Sequence, residues 1–305
     1  MKKIALTYAL LMVTNHVTAM QKDIAESLMA KYINQDGTVT APIQHLLKLT
    51  NTETDQTIAN VADQTQKKWF NLQWDHSKEN GFDLETLDQI INIKKELNIS
   101  SVGKENPVNH LVGYNGVPPS ILKLLLAIES EQKSNDLQKV TIFSIVNPSS
   151  TKALQQYSQK DFSDIAKLFG KILPDSFILP VNQTEATECL RNHLFPNLKN
   201  ITFEYIEYAD NSNDDVVKNW AANNKSTKIK VVSSSGQLTS HLLKFHLCLL
   251  PNAIEIVGGQ SIQEDEFPEI EKLYHDTGDN LEKKANFVLN DISRTLVRIN
   301  KLKQQ

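Results

Sequence analysis

The sequence has few of the residues that mark several classes of protein. Its 305 residues include two cysteines, Cys189 and Cys248, with no CxxC pair and no spacing typical of a metal site. In an exported protein the two cysteines could form a disulfide, but both lie in apolar helical patterns, which favours two free buried thiols. The chain also has no surplus of positive charge, since it contains 32 Lys and Arg residues against 36 Asp and Glu residues. Because binding to a phosphate backbone needs a surplus of positive charge, we expect no nucleic-acid partner.

The sequence also lacks a hydrophobic run long enough for a transmembrane helix, which needs about 20 residues. The apolar run at residues 4–13 (IALTYALLMV) follows Lys2 and Lys3 and precedes the small residues Val17 and Ala19. This layout is typical of a secretory signal peptide, although an ordinary N-terminal amphipathic helix is the alternative. We expect residues 1–19 to be a signal peptide, and the mature protein to be secreted or periplasmic with no integral membrane segment.

Residues 20–105 are predicted to form a helical region that packs on the rest of the chain. Apolar residues recur at helical spacing in residues 23–33 and 83–99. On the second segment, one face would carry Leu84, Leu87, Ile90, Ile91 and Leu97. Asp83 is a plausible N-cap of that helix. The polar stretch 50–66 between them is either a loop or a weakly helical, exposed segment. The aromatic run from Trp69 to Trp74 favours a packed helix over a carbohydrate-binding platform.

Predicted strands alternate with predicted helices from about residue 106. The segment 139–146 (KVTIFSIV) is a continuous apolar, β-branched run, as expected for a strand covered on both faces, and 176–181 (SFILPV) is also strand-like. Residues 279–303 have the pattern of one long amphipathic helix. The alternation predicts an α/β fold: a Rossmann-like, mostly parallel sheet with helices on both faces. We assign it to a domain of residues 106–305 that includes the long C-terminal helix.

The ligand site of such a sheet lies beyond the C-terminal ends of its strands, where helix N-termini offer free N–H groups. This rule selects the strand-to-helix connections as candidate ligand-binding loops. They contribute the candidate binding residues Gly113, Asn115, Gly116, Asn147, Ser149, Thr184, Glu185, Ser233, Ser234, Ser235 and Gln237.

Taken in order, these loops resemble the YdcF/SanA/ElyC-like family of α/β proteins. HLVGYNGV (110–117) resembles the family's first strand with its Gly-rich end, and TEA (184–186) is similar to the Ser-Glu-Ala that opens a helix there. YADNSNDDVVKNW (208–220), VVSSSGQLTSHLLKF (231–245) and IEIVGG (254–259) stand where the family has its later motifs. The resemblance covers about residues 106–260. It implies a pocket for a nucleotide- or polyprenyl-phosphate-type ligand and, in some members, a role in the cell envelope.

The sequence departs from the family pattern at two positions that matter for chemistry. The family's histidine position falls on Gln237, and its arginine position falls on Ser240. An arginine would bind a phosphate or carboxylate with a fork of donors, which serine cannot do. A glutamine can hydrogen-bond but cannot transfer protons as a histidine does near neutral pH. The resemblance therefore implies a polar pocket that has lost its titratable groups.

Glu185, Asp214 and His241 are the candidate catalytic residues. Glu185 begins a predicted helix, where it could accept a ligand hydroxyl, act as a base or simply complement the helix dipole. His241 lies one helical turn after Gln237 and could replace the missing histidine if it comes within hydrogen-bond reach. His193 lies on an apolar stripe, which predicts a core histidine.

An acidic loop contains Asp210, Asp214 and Asp215. Carboxylate oxygens could hold a divalent cation there. Acidic residues at a helix start are more often solvated caps, because they complement the dipole. We therefore predict no metal site.

Three functional hypotheses follow. In the first, an exported α/β-domain protein with a degraded YdcF/SanA/ElyC-like pocket binds a small polar or phosphorylated ligand, or acts as an envelope-associated interaction module. The alternative is a hydrolase or transferase that acts on an envelope or nucleotide substrate. In the third, the N-terminal helical half binds a protein partner. The sequence specifies no cofactor.

Overall fold

The computed structural model describes residues 23–69, 81–103, 105–134, 136–174, 177–209, 214–224, 226, 228–233, 237–249, 252, 254–262, 266–273 and 280–304. The expected signal peptide, residues 1–19, and the aromatic run after Trp69 lie outside these residues. Within them, no helix combines the length and the apolar character needed to cross a membrane.

The N-terminal region is helical. Its helices are α1 (residues 23–29), α2 (Ala41–Leu49), α3 (Ile58–Trp69) and α4 (Leu84–Leu97). The polar stretch 50–66 divides into a loop and the first part of α3. Trp69 at the end of α3 is fully buried, as expected for a packed helix. Asp83 caps α4 by accepting a hydrogen bond from the Thr86 backbone N–H at 2.8 Å.

Three of the five residues predicted to share the buried face of α4 are buried, namely Leu87, Ile90 and Leu97. Leu84 is 71% exposed, whereas Lys94 is buried and pairs with an aspartate on the C-terminal helix. The buried face of α4 therefore includes the charged residue Lys94, which a search for apolar periodicity does not detect.

Six strands in the described part of the chain form one sheet. They are β1 (Ser101–Val102), β2 (His110–Tyr114), β3 (Lys139–Ile145), β4 (Thr202–Tyr208), β5 (Lys228–Ser233) and β6 (Glu255–Ser261). The order across the sheet is β1-β6-β5-β2-β3-β4. All neighbouring pairs are parallel except β1 with β6. The predicted Rossmann-like, mostly parallel sheet is confirmed.

Helices cover both faces of this sheet. They are α5 (Pro118–Ser134), α6 (Pro148–Leu154), α7 (Gln159–Leu168), α8 (Gln183–Leu194), α9 (Asp214–Asn223), α10 (Leu238–Leu249), α11 (Pro268–Glu271) and α12 (Leu281–Lys303), with a short 3-10 helix at Pro196–Asn200. One core joins the sheet to α5–α8 and α11, and the other joins it to α1–α4, α9, α10 and α12. Successive strand residues alternate between the two cores, with Leu111 in one and Val112 in the other.

Two local predictions were wrong. Residues 177–181 form no strand, and Ile178 and Val181 are 84% and 63% exposed. The reason is that β3 pairs directly with β4, so this segment has no place between them. His193 is exposed rather than buried, because α8 buries the narrower stripe of Ala186, Leu190 and Leu194.

The two cysteines are free. Cys248 is buried on α10, in the core that includes the N-terminal helices. Cys189 is half-buried on α8, a helix of the opposite core. The sheet lies between the two helices, so the structure supports two separate thiols, although only Cys248 is fully buried.

The C-terminal helix α12 joins the N-terminal helices to the α/β core. It packs against α3, α4 and α10. On its buried side, Asp291 Oδ2 forms an ion pair with Lys94 Nζ of α4, and both side chains are over nine-tenths buried. Removing one partner of such a pair leaves an unpaired charge inside the protein, which is strongly destabilising.

We therefore expect Lys94→Met to lower the free energy of unfolding by about 3 kcal/mol or more. Lys67→Met is the matched control, because Lys67 forms an exposed i,i+4 pair with Asp63 and should cost less than about 1 kcal/mol. Combining Lys94→Met with Asp291→Leu should recover part of the loss, since neither charge remains. Urea unfolding measures all three. Equal losses for the Lys94 and Lys67 variants would contradict a stabilising role for the buried pair.

Candidate functional site

The strand order creates a topological switch point between β2 and β5. From β2 the sheet continues through β3 and β4 on one side, and through β5 and β6 on the other. Ligands of open α/β sheets bind in the crevice outside the carboxyl ends of the strands at such a point. Here this rule selects the region beyond Tyr114, which ends β2, and Ser233, which ends β5. We call it the switch-point crevice.

Ser233 and His241 are hydrogen-bonded at this crevice. Ser233 Oγ lies 2.8 Å from His241 Nδ1, and the imidazole packs against Tyr114 with 4.5 Å between ring centroids. Ser233 is fully buried, whereas His241, in the first turn of α10, is half-buried. Burial, followed by the positive charges of Arg298 and Lys244, holds the pKa of His241 well below its usual value. The imidazole is therefore neutral at neutral pH.

Lys244 lies beside this histidine, almost one turn further along α10. Its Nζ atom is 3.3 Å from Asp214 Oδ1, at the start of α9, and 5.2 Å from the centroid of the Tyr114 ring. Burial and the nearby Arg298 lower the pKa of Lys244 to about 8, although Asp214 acts in the opposite direction. The crevice thus contains a lysine that changes charge just above neutral pH.

Arg298 reaches the crevice from α12. Its Nη1 atom donates to the Ser240 carbonyl oxygen at 2.9 Å and also to Ser240 Oγ. The two residues are 58 positions apart in the chain. Ser240 stands where the resembled family would have its arginine, so a guanidinium from a distant helix contacts that position. No carboxylate of the described residues forms an ion pair with Arg298, whose side chain is half-buried.

Asn115, the residue after β2, is held by hydrogen bonds within the protein. Its Nδ2 atom donates to Ser144 Oγ and to the Gln183 carbonyl oxygen, both at 3.0 Å. Its Oδ1 atom accepts from Thr187 Oγ1 at 2.8 Å and from the Gly116 backbone N–H at 3.1 Å. The amide therefore ties β2 to β3 and α8, on the opposite side of the sheet from His241.

The two candidate glycines allow close packing. A Cβ atom on Gly113 would lie 2.8 Å from the Val232 carbonyl oxygen and 3.0 Å from Leu124 Cδ1. On Gly116 it would lie 2.9 Å from Ser120 Cβ. Gly113 thus lets β5 and α5 approach β2, and Gly116 lets α5 begin close to the strand end.

Asn147 and Ser149 belong to the start of α6. Asn147 Oδ1 accepts from the Ser150 backbone N–H at 2.8 Å, while the Asn147 N–H donates to Ser150 Oγ at 3.1 Å. This reciprocal arrangement is a capping box. Ser149 is exposed on the first turn of the helix. The segment 147–150 (NPSS) is therefore the capped beginning of a helix.

Glu185 is engaged in the cap of α8. Its carboxylate accepts from the Val181 backbone N–H and from Asn182 Nδ2, each at 3.0 Å. Its own N–H donates to Asn182 Oδ1 at 2.8 Å. Thr184 donates to Glu207 Oε1 at 2.8 Å. These bonds fit the capping alternative for Glu185, which lies on a helix of the opposite core from His241.

The structure therefore separates the predicted site residues into a group at the switch-point crevice and a group at the starts of α6 and α8. Ser233, Asp214 and His241 lie at the switch-point crevice, and Gln237 is half-buried just before α10. Two of the predicted binding residues, Ser234 and Ser235, and the loop residue Asp210 lie outside the described residues. Among the residues that are described, no His, Cys, Asp and Glu side chains are grouped so as to hold a metal ion.

Sequence reasoning missed Tyr114, Lys244 and Arg298. Lys244 had a usable signal, because it lies three residues after His241 and shares its helix face. Tyr114 had a weaker sequence signal, because it is the last residue of a strand and therefore lies at the carboxyl edge of the sheet. Arg298 had none, since no local pattern relates it to Ser240.

No protein-family model matches this sequence, and neither the curated proteins nor the solved structures provide a match. The resemblance to the YdcF/SanA/ElyC-like family stays a prediction carried by the order of its motifs. The α/β fold does not decide it, because this fold hosts many unrelated functions. Function has to be inferred from the geometry of the crevice.

We expect Glu185→Gln to lower the free energy of unfolding by up to about 1 kcal/mol, because a charge near a helix N-terminus is lost. Glu188→Gln is the matched control, since Glu188 is exposed on the next turn of the same helix. Chemical denaturation compares the two. Ligand binding lost in Glu185→Gln without a loss of stability would show that the carboxylate serves the ligand instead.

We also expect the imidazole of His241 to remain neutral down to a pH well below its usual pKa of about 6.5. Arg298→Gln should raise the pKa of His241, because it removes a nearby positive charge that opposes protonation. Arg191→Gln on α8 is the matched control and should leave it unchanged. NMR titration of the imidazole measures these values. A pKa that stays constant or falls in Arg298→Gln would contradict the described electrostatics.

The lowered pKa of His241 makes the stability of the folded chain depend on pH. Because the folded chain holds His241 neutral, the unfolded chain binds more protons between the two pKa values. The stability that this residue contributes is present above about pH 6.5 and is lost as the pH falls toward the folded-state pKa.

Proposed function

We propose that this protein binds a small anionic ligand, a phosphorylated or carboxylate compound, in the switch-point crevice. The observation that carries this proposal is the half-buried guanidinium of Arg298, which has no ion-pair partner among the described residues. A charge withdrawn from water is costly unless a partner or hydrogen bonds compensate it. An anionic ligand would supply that compensation.

The donor geometry of arginine fits this ligand class. Within the described chain, Nη1 is the guanidinium atom that forms hydrogen bonds, both of them to Ser240. The remaining N–H groups form a planar fork that matches two oxygens of a phosphate or carboxylate. Lys244 adds a second positive charge, which Asp214 offsets only in part because that carboxylate is itself half-exposed.

Two further features support an anion at this place. The helix α10 begins at Leu238, and its first turn contacts Ser233 through His241. A helix N-terminus favours negative charge. His241 is neutral and fixed by Ser233, so it offers a hydrogen bond without a charge. The expected signal peptide at residues 1–19 would place this ligand in the periplasm or outside the cell, in keeping with a role in the envelope.

A hydrolase or transferase acting on the same ligand class is the second candidate. The specific observation that favours it is the pairing of His241 Nδ1 with Ser233, which orients the ring so that Nε2 could transfer a proton. Ser233 itself is fully buried and is not placed to attack a substrate. An enzyme of this kind would use His241 to activate water or a substrate hydroxyl.

Calorimetric titration with inorganic phosphate, glycerol 3-phosphate, adenosine monophosphate and citrate tests the proposal. We expect at least one anion to bind saturably, and Arg298→Gln to weaken it about tenfold or more, since hydrogen bonds to charged groups contribute about 1.5–3 kcal/mol. Arg191→Gln should have no effect. Affinity should also fall as the pH rises through about 8, because Lys244 then loses its charge.

Two results would overturn anion binding at this place. One is the absence of saturable binding by all four anions, and the other is binding that Arg298→Gln leaves intact. The enzyme candidate has its own test with p-nitrophenyl phosphate as substrate. His241→Gln should abolish turnover while phosphate still binds, and a lack of turnover by the unmodified protein would reject catalysis on this substrate class.

A further inference from the structure

A cavity lies on the opposite face of the sheet from the switch-point crevice. It is formed between α5, the sheet edge at β1 and β6, and the residues Ile262, Glu266 and Phe267. Its volume is about 390 Å³, within the range of about 300–1,000 Å³ typical of small-molecule sites. The apolar part of its lining, including Leu126 and Ile262, belongs to the core of α5–α8.

Uncharged polar side chains line this cavity from two sides. Gln260 of β6 is only 9% exposed, and its side-chain amide forms no hydrogen bond within the described residues. Ser101 of β1 is its cross-strand partner, so the two side chains lie on one face of the sheet. Ser130 of α5 lies on the opposite wall. These amide and hydroxyl groups can donate hydrogen bonds to a polar ligand in the cavity and accept hydrogen bonds from it.

The charged residues of the lining argue against an anion. Glu129 accepts hydrogen bonds from Lys133 Nζ at 3.2 Å and from Asn197 Nδ2 at 3.3 Å, so its charge is largely compensated. Glu266 is exposed at the rim. With two carboxylates and one ammonium group, the lining has a net negative charge. Phe267 adds an aromatic ring to this polar surface.

We propose that this cavity binds a neutral sugar of about monosaccharide size. Sugar hydroxyls donate and accept hydrogen bonds, as do the Gln260 amide and the hydroxyls of Ser101 and Ser130. The Phe267 ring offers an apolar surface for the C–H face of a sugar. The site shares no residue with the switch-point crevice, so it is independent of the anion-binding proposal.

Saturation-transfer NMR and calorimetry on the full chain test this site, with glucose, galactose, mannose and N-acetylglucosamine as probes at up to about 20 mM. We expect saturable binding of at least one sugar, weakened about tenfold or more by Gln260→Met, which leaves the ligand hydroxyl without its partner. Ser130→Ala should weaken it severalfold. Ser134→Ala is the matched control, one turn further along α5 and outside the cavity lining.

Arg298→Gln should leave sugar binding unchanged, which separates this site from the switch-point crevice. Gln260→Met is used only if its unfolding transition matches that of the unmodified protein, and Ser130→Ala gives the test on its own otherwise. The proposal is overturned if none of the four sugars binds saturably, since the cavity then holds water alone. It is also overturned if neither substitution weakens binding, or if glucose 6-phosphate or glucosamine competes about tenfold better than glucose.

Discussion

The burial of α12 between the N-terminal helices and α10 is the constraint on which the rest of the structure depends. Leu289, Ile292 and Leu296 are fully buried on this helix, and Asp291 is paired with Lys94 inside the protein. A rotation of α12 would expose the apolar side chains and leave the buried charges unpaired, so its orientation is tightly determined. Arg298 lies two helical turns after Asp291 and therefore on the same side of the helix. The packing that holds the N-terminal region in place also directs the guanidinium toward Ser240.

The chemistry of the switch-point crevice follows from this placement. Burial and the positive charge of Arg298 together keep His241 neutral and lower the pKa of Lys244 to about 8. Among the described residues, Lys244 pairs with the half-exposed Asp214, whereas Arg298 forms no ion pair. This excess of positive charge favours a negative ligand. The cavity beside Gln260 has the opposite character, with uncharged hydrogen-bonding groups and a slight negative balance. The two proposals therefore assign ligands of different chemistry to the two faces of one sheet.

Much of the fold could be predicted because its strands are covered on both faces. Such strands are rich in apolar, β-branched residues, and β3 is recognisable for that reason. The same signal was misleading at residues 177–181, because apolar composition indicates a preference for burial and not a free place in a sheet. Helical periodicity located α8 correctly but not the width of its buried stripe, so His193 was assigned to the core although it is exposed. The width depends on the neighbouring helices, which periodicity does not describe.

The sequence by itself determined where strands end and helices begin, and hence which loops lie at the carboxyl edge of the sheet. It also placed Ser233 and His241 within one strand–turn–helix segment, because capping and turn geometry act over a few residues. Only the tertiary structure decided that β2 and β5 are neighbours, that Asn115 and Glu185 serve packing and capping, and that Arg298 meets Ser240. The physical reason is that strand order and helix docking depend on which apolar faces bury each other across long separations in the chain, and no local pattern encodes that choice.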